Sequence, residues 1–99
     1  MTQYELAEAA FKKIINHGPG MGFRKATEKY WAACHSEAGA SEADGVQFEQ
    51  AVAKVPIDYR SPALKCLEEF NQCKAQGENL SECYYALIIR LAERIVHVM

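Results

Sequence analysis

NLSECYYALIIRLAERIVHV, residues 79–98, decides how this chain folds. Its apolar side chains lie on two stripes at helical spacing: Leu80, Tyr84, Leu87, Leu91, Ile95 and Val98 on one, Tyr85, Ile89, Ala92 and Val96 on the other. Only a narrow strip of Glu82, Arg90, Glu93 and His97 is polar. A helix so broadly apolar is buried on more than one side, so it is either the centre of its own bundle or half of a subunit interface. It is not a membrane span, because Arg90, Glu93 and Arg94 break the run well before the roughly 20 apolar residues a bilayer requires.

Upstream, the pattern stays helical. Asn79 or Ser81 starts this last helix and Gly77 ends the one before it, which runs from Ser61-Pro62 to about Gln76 and presents Ala63, Leu67, Phe70 and two cysteines. PIDYRSP, 56–62, reads as a short ordered linker. A third helix, capped by Ser41 or Asp44, carries Phe48, Ala51, Val52 and Val55 and ends at Pro56. A second runs from about Phe23 to Ala38, with Phe23, Ala26, Tyr30, Ala33 and Cys34 on one side. The first begins at the capping box Thr2-Gln-Tyr-Glu5 and stops at Gly18-Pro19, with Leu6, Ala10 and Ile14 flanked by Ala7, Phe11 and Ile15. The fold class expected is all-α: a single compact bundle of four or five short helices over residues 1–99, with a C-terminal helical hairpin.

The totals agree. Ninety-nine residues make one ordinary domain, and 49% hydrophobic with 24% charged side chains is a globular composition. A net charge of −2 gives no general electrostatic grip on nucleic acid. The basic residues are concentrated early, however, and Arg24, Lys25 and Lys29 follow the loop Gly18–Gly22, so anion or weak nucleic-acid binding there is an alternative to a plain turn. That loop reads GPGMG, matching neither a dinucleotide fingerprint nor a P-loop. The N-terminal residues carry no secretory signal pattern, which points to the cytoplasm.

Cys66, Cys73 and Cys83 fall within eighteen residues, and Cys34 stands apart. Cys66 and Cys73 are seven apart on one helix, about 10.5 Å along its axis, beyond the roughly 7 Å a disulfide tolerates. Cys73 and Cys83 flank the hairpin turn and can meet. Their Cys-x9-Cys spacing invites comparison with the doubly stapled hairpins of the CHCH family, but Cys66 would then need a partner near Arg90 and has none, so no kinship follows. In a reducing cytoplasm the expectation is four buried free thiols that pack as small hydrophobes. Three other readings stay open: a structural disulfide between Cys73 and Cys83; a thiol-based redox or sensor protein using Cys73 and Cys83, with Cys34 beside them; and a metal set of Cys73, Cys83, Cys34 and His35. No Cys-x-x-Cys pair supports zinc, so neither metal nor cofactor is expected.

Catalytic groups are not evident. Cys34 and His35 are neighbours whose directions diverge on a helix, His17 and His97 read as structural, and carboxylates such as Glu68-Glu69 read as solvated faces. Tyr30-Trp31 and Tyr84-Tyr85 say more, since one ring of each pair must sit on a helix flank, where interfaces favour Tyr and Trp. The function expected is a noncatalytic protein-binding module, an adaptor, regulator or inhibitor, homodimeric if the second face of the last helix is spare. Trp31, Tyr85, Ile89 and Val96 are the candidate contacts, the partner being another protein.

Overall fold

The computed structural model describes residues 1–96, so the positions of His97 and Val98 lie outside the described residues. Five helices follow in order: α1 Gln3–His17, α2 Met21–Cys34, α3 Glu42–Ala53, α4 Ile57–Ala75 and α5 Leu80–Ile95. No strand occurs among the described residues. The radius of gyration, 12.4 Å, is close to the ~13 Å expected of a folded domain of this length.

Each boundary has a local cause. Thr2 and Glu5 exchange the hydrogen bonds of a capping box at the start of α1, and Ser41 and Asp44 do the same for α3. The Asn79 side chain accepts from the amides of Ser81 and Glu82 at the start of α5. Gly77, at φ +78, supplies the left-handed residue that turns α4 into α5, a conformation most side chains avoid.

Two boundaries depart from the sequence reading. α2 stops at Cys34 rather than Ala38, because the His35 ring turns back to the Trp31 carbonyl and the Ser36 hydroxyl donates to the Ala33 carbonyl. The supposed linker 56–62 is already helical: α4 begins at Ile57 directly after Pro56. Pro62 therefore sits in the second turn, where the Asp58 carbonyl loses its helical donor and is crowded by the proline ring. The Arg60 guanidinium meanwhile donates twice to the Val55 carbonyl and fastens the α3–α4 corner.

α5 is the hub. It packs along both α1 and α4, while α2 bridges α1 and α3, and α3 leads to α4. Cys83, Tyr84, Leu87, Ile88, Leu91, Ala92 and Ile95 of α5 are all buried. Ile88 belongs to neither stripe read from the sequence, yet it is fully enclosed, as a helix covered on two sides requires. Ala7, Ala10 and Ile14 of α1, Phe23, Thr27 and Tyr30 of α2, and Ala63, Cys66, Leu67 and Phe70 of α4 complete most of the core. The Thr27 hydroxyl, buried with them, donates to the Phe23 carbonyl. Leu6 and Leu80, placed on apolar stripes by their spacing, are exposed.

Candidate functional site

In both adjacent aromatic pairs the first ring is buried and the second lies on the flank. Tyr30 stacks on Phe48 at 4.8 Å and meets Tyr84 edge-on at 5.1 Å, deep in the core. Trp31 and Tyr85, 6.0 Å apart, stay half-buried at the edge where α1, α2 and α5 meet. Phe11 stacks on Trp31 at 4.5 Å, and Tyr4 closes on Tyr85 at 5.6 Å and on Trp31 at 6.1 Å. His35 completes the group 4.5 Å from Trp31. Its Nδ1 lies 2.8 Å from the Trp31 carbonyl, which can only accept, so Nδ1 carries the proton and Nε2 accepts from the Tyr85 hydroxyl at 3.1 Å when the ring is neutral. Tyr4 remains more than two-fifths exposed in this cluster, at 42%.

Of the four candidate contacts, Trp31 and Tyr85 thus share one edge, and Ile89 is half-buried one turn farther along α5. Val96 is different: it is 8% exposed and belongs to the core, whereas Tyr85 and Ile89 of the same stripe stay half-buried. Tyr4, Phe11 and His35 were not among the contacts expected from the sequence, where Phe11 was read as core and His35 only as a possible metal ligand. The available signal was spacing, since Tyr4 and Phe11 are seven apart on α1 and Trp31 and His35 four apart on α2, each pair on one helix face.

The other flank of α5 is fastened by covalent and ionic links. Cys73 and Cys83 form a disulfide with Cα atoms 5.8 Å apart, in place of the free thiols expected, because the Gly77 turn brings the end of α4 against the start of α5. Glu69 of α4, read as a solvated carboxylate, holds Arg94 at 3.0 Å and Arg90 at 3.3 Å on α5. The hydrogen bond from Arg94 keeps its carboxyl below the usual range. Cys34 and Cys66 are free. Burial raises both thiol pKa values, the reverse of what an activated nucleophile needs.

The imagined metal set of Cys73, Cys83, Cys34 and His35 is not assembled. Among the described residues the donor atoms within 4.8 Å of one another are those of Cys73, Glu78 and Cys83, with Glu78 Oε2 3.0 Å from Cys73 Sγ. In the disulfide the two sulfurs are committed to each other. Of the basic candidates, Arg24 is spent on structure, donating from Nε to the Ile15 carbonyl at 2.9 Å and from Nη2 to that of Asn16 at 2.8 Å, which caps the end of α1. Lys29 reaches the side-chain oxygen of Gln47 on α3 at 3.1 Å, and Lys25 is exposed.

No helix among the described residues is long and apolar enough to cross a membrane. Compared with known proteins, the chain matches no family model, no curated protein and no solved structure, so every functional inference starts from the geometry above.

Proposed function

We propose that this chain is a noncatalytic protein-binding module whose contact surface is the aromatic edge of Tyr4, Trp31, His35 and Tyr85. One observation carries the reading: these rings sit together at a helix junction, held in place from beneath by Phe11 and by the hydrogen bonds of His35, with Tyr4 open to solvent. Tyr and Trp dominate binding energy at interfaces because they bury large areas with few rotatable bonds. Rings already fixed by neighbours lose little further freedom on association. The partner is another protein with a complementary apolar pocket, a second copy of this chain among the possibilities.

The test is site-specific photo-crosslinking in the source cells, with a photoreactive phenylalanine at Tyr4 and, as control, at Lys13 on the exposed face of α1. A discrete protein adduct from position 4 that is absent from position 13, and is lost in Trp31→Ala, supports the reading. No adduct at position 4, or equal adducts at both, ends it.

The disulfide favours a second reading, a redox-sensitive clasp at the α4–α5 hairpin using Cys73 and Cys83. A dithiol reductant would donate two electrons and two protons, giving two thiols and its own disulfide. The Glu78 carboxylate beside Cys73 disfavours a thiolate there and slows such exchange. Quantitative thiol labelling of rapidly acid-quenched cells decides it: two blocked cysteines under all growth conditions mean a structural staple, and a fraction that changes with oxidant means a switch. A standing staple would also move the protein out of the reducing cytoplasm.

A further inference from the structure

At the α4–α5 hairpin three donor atoms of different character converge: Cys73 Sγ, Cys83 Sγ and a carboxylate oxygen of Glu78 all lie within 4.8 Å of one another. Glu78 Oε2 stands 3.0 Å from Cys73 Sγ, yet no hydrogen bond joins them, because a disulfide sulfur carries no proton to donate. Nor does a cationic side chain among the described residues hold the carboxylate there. Lys74, beside Cys73 in the chain, is drawn to Glu49 at 4.0 Å, and Arg90 and Arg94 share Glu69. A carboxylate set against a sulfur with neither proton nor cation between them is an arrangement that a metal ion would complete.

The cluster is open on one side. Cys83 is buried, Cys73 half-buried and Glu78 exposed, and a cleft of about 390 Å³ bordered by Glu69, Cys73, Glu78, Glu82 and Arg90 leads to it. Arg90 is offset by Glu69, so Glu78 and Glu82 leave the cleft negative, which draws cations.

While the bond stands, the sulfurs have no charge to offer. Once a dithiol has reduced it, a dication can displace the two thiol protons and meet two thiolates and one carboxylate. Two sulfurs about 2.3 Å from one tetrahedral ion stand about 3.8 Å apart. Side-chain rotation supplies that separation on Cα atoms 5.8 Å from each other. Two soft ligands with one hard one suit zinc better than magnesium or calcium, which prefer oxygen alone, or copper(I), which prefers sulfur.

We propose that the reduced hairpin binds one zinc ion through Cys73, Cys83 and Glu78, with water in the fourth position, on the footing of the redox-sensitive clasp described above. The clasp then exchanges a covalent link for a metal link. In the reverse direction a low-molecular-weight disulfide takes two electrons from the two thiolates and two protons from water. It leaves as two thiols, the Cys73–Cys83 bond re-forms and the ion is released.

The experiment is an oxygen-free zinc titration of the intact chain against a chromophoric chelator, before and after reduction with a phosphine, repeated with cobalt(II) as a spectroscopic stand-in. The reduced chain should take up one equivalent and, with cobalt, show thiolate charge-transfer absorption and the visible bands of a tetrahedral ion. The oxidised chain should take up none. Cys73→Ser should abolish uptake, Cys34→Ala should leave it unchanged, and Glu78→Ala should weaken it about 10-fold or more, at least what loss of an outer-shell partner costs. Uptake by neither form, equal uptake by both, or parental affinity in Cys73→Ser or Glu78→Ala overturns the proposal. Where reduction unfolds the chain, zinc should restore its helical circular dichroism, and failure to do so is equally decisive. A bond that never opens in cells defeats the clasp and this site together, whereas an opened bond with no zinc uptake defeats this site alone.

Discussion

The two flanks of α5 are held by different physics. Toward α4 it is tied by the Cys73–Cys83 bond and by Glu69 between Arg90 and Arg94. Toward α1 and α2 it is met by rings: Tyr84 against Tyr30 and Trp31, Tyr85 against Tyr4. The first kind of link is sensitive to reductant, acid and salt, whereas the second depends on shape and on keeping phenols neutral. The chain therefore concentrates its covalent and ionic links at the hairpin and gathers its rings on the opposite side, which suits a surface that must present fixed rings.

The strongest way to break this contrast is to remove a ring from the constant side. Phe48→Ala, at a residue 1% exposed and stacked on Tyr30, should cost about 3–5 kcal/mol in urea unfolding, with or without reductant. Next comes the clasp. Reduction, or Cys73→Ala, should cost about 2–3 kcal/mol by opening a loop of this length in the unfolded chain, and the same reductant should leave the Cys73→Ala variant unchanged. A cost that persists on adding reductant to that variant would mean that a link other than this bond is being broken.

Alkali should find the aromatic side. The folded pKa of Tyr30 is raised from 10.0 to about 12, and that of Tyr84 is raised too, chiefly by burial. A raised pKa means the stability is whole below pH 10, where unfolded tyrosine is still neutral, and falls as pH climbs through the folded value. Tyrosinate absorbance should therefore rise together with loss of helical circular dichroism above pH 10, and a gradual rise before unfolding would show these hydroxyls to be accessible. The smallest effect belongs to Glu69→Gln. Its carboxyl pKa is lowered in the folded state, so its contribution is present above the ordinary carboxylate range and fades as pH falls through the folded value. The variant should be slightly less stable near neutrality at low salt and indistinguishable from the parent at high salt or low pH.

The same division explains what was legible in the sequence. α5 was readable as the hub because its periodicity is a property of one segment, and the caps at Thr2, Ser41 and Asn79 are equally local. The start of α4 was misread, since Ser61-Pro62 is a good local signal that Pro56, six residues earlier, pre-empts. The disulfide needed the hairpin geometry: the spacing allowed Cys73 to meet Cys83 and could not require it. Glu69 looked solvated because its partners lie 21 and 25 positions away, and Arg24 looked free because its acceptors are carbonyls of the preceding helix. For the site, the pairs Tyr30-Trp31 and Tyr84-Tyr85 indicated that a ring of each would reach the edge. Which side of α5 α1 would cover, and hence the burial of Val96 and the entry of Tyr4 and His35, is a tertiary fact that no single segment encodes.

The adjacency of α1 and α5 also governs how this protein is made. α1 leaves the ribosome before α5, the helix it rests against. Until α5 has been synthesised, α1 has only α2 to pack against and the rings of α2 lack Tyr84, so the nascent chain exposes apolar surface here until residues 80–95 emerge. Stalled or truncated products ending before Leu80 should accordingly be substrates for chaperones and proteases rather than partly folded domains, and the helix that organises the native core is also the one whose arrival permits it.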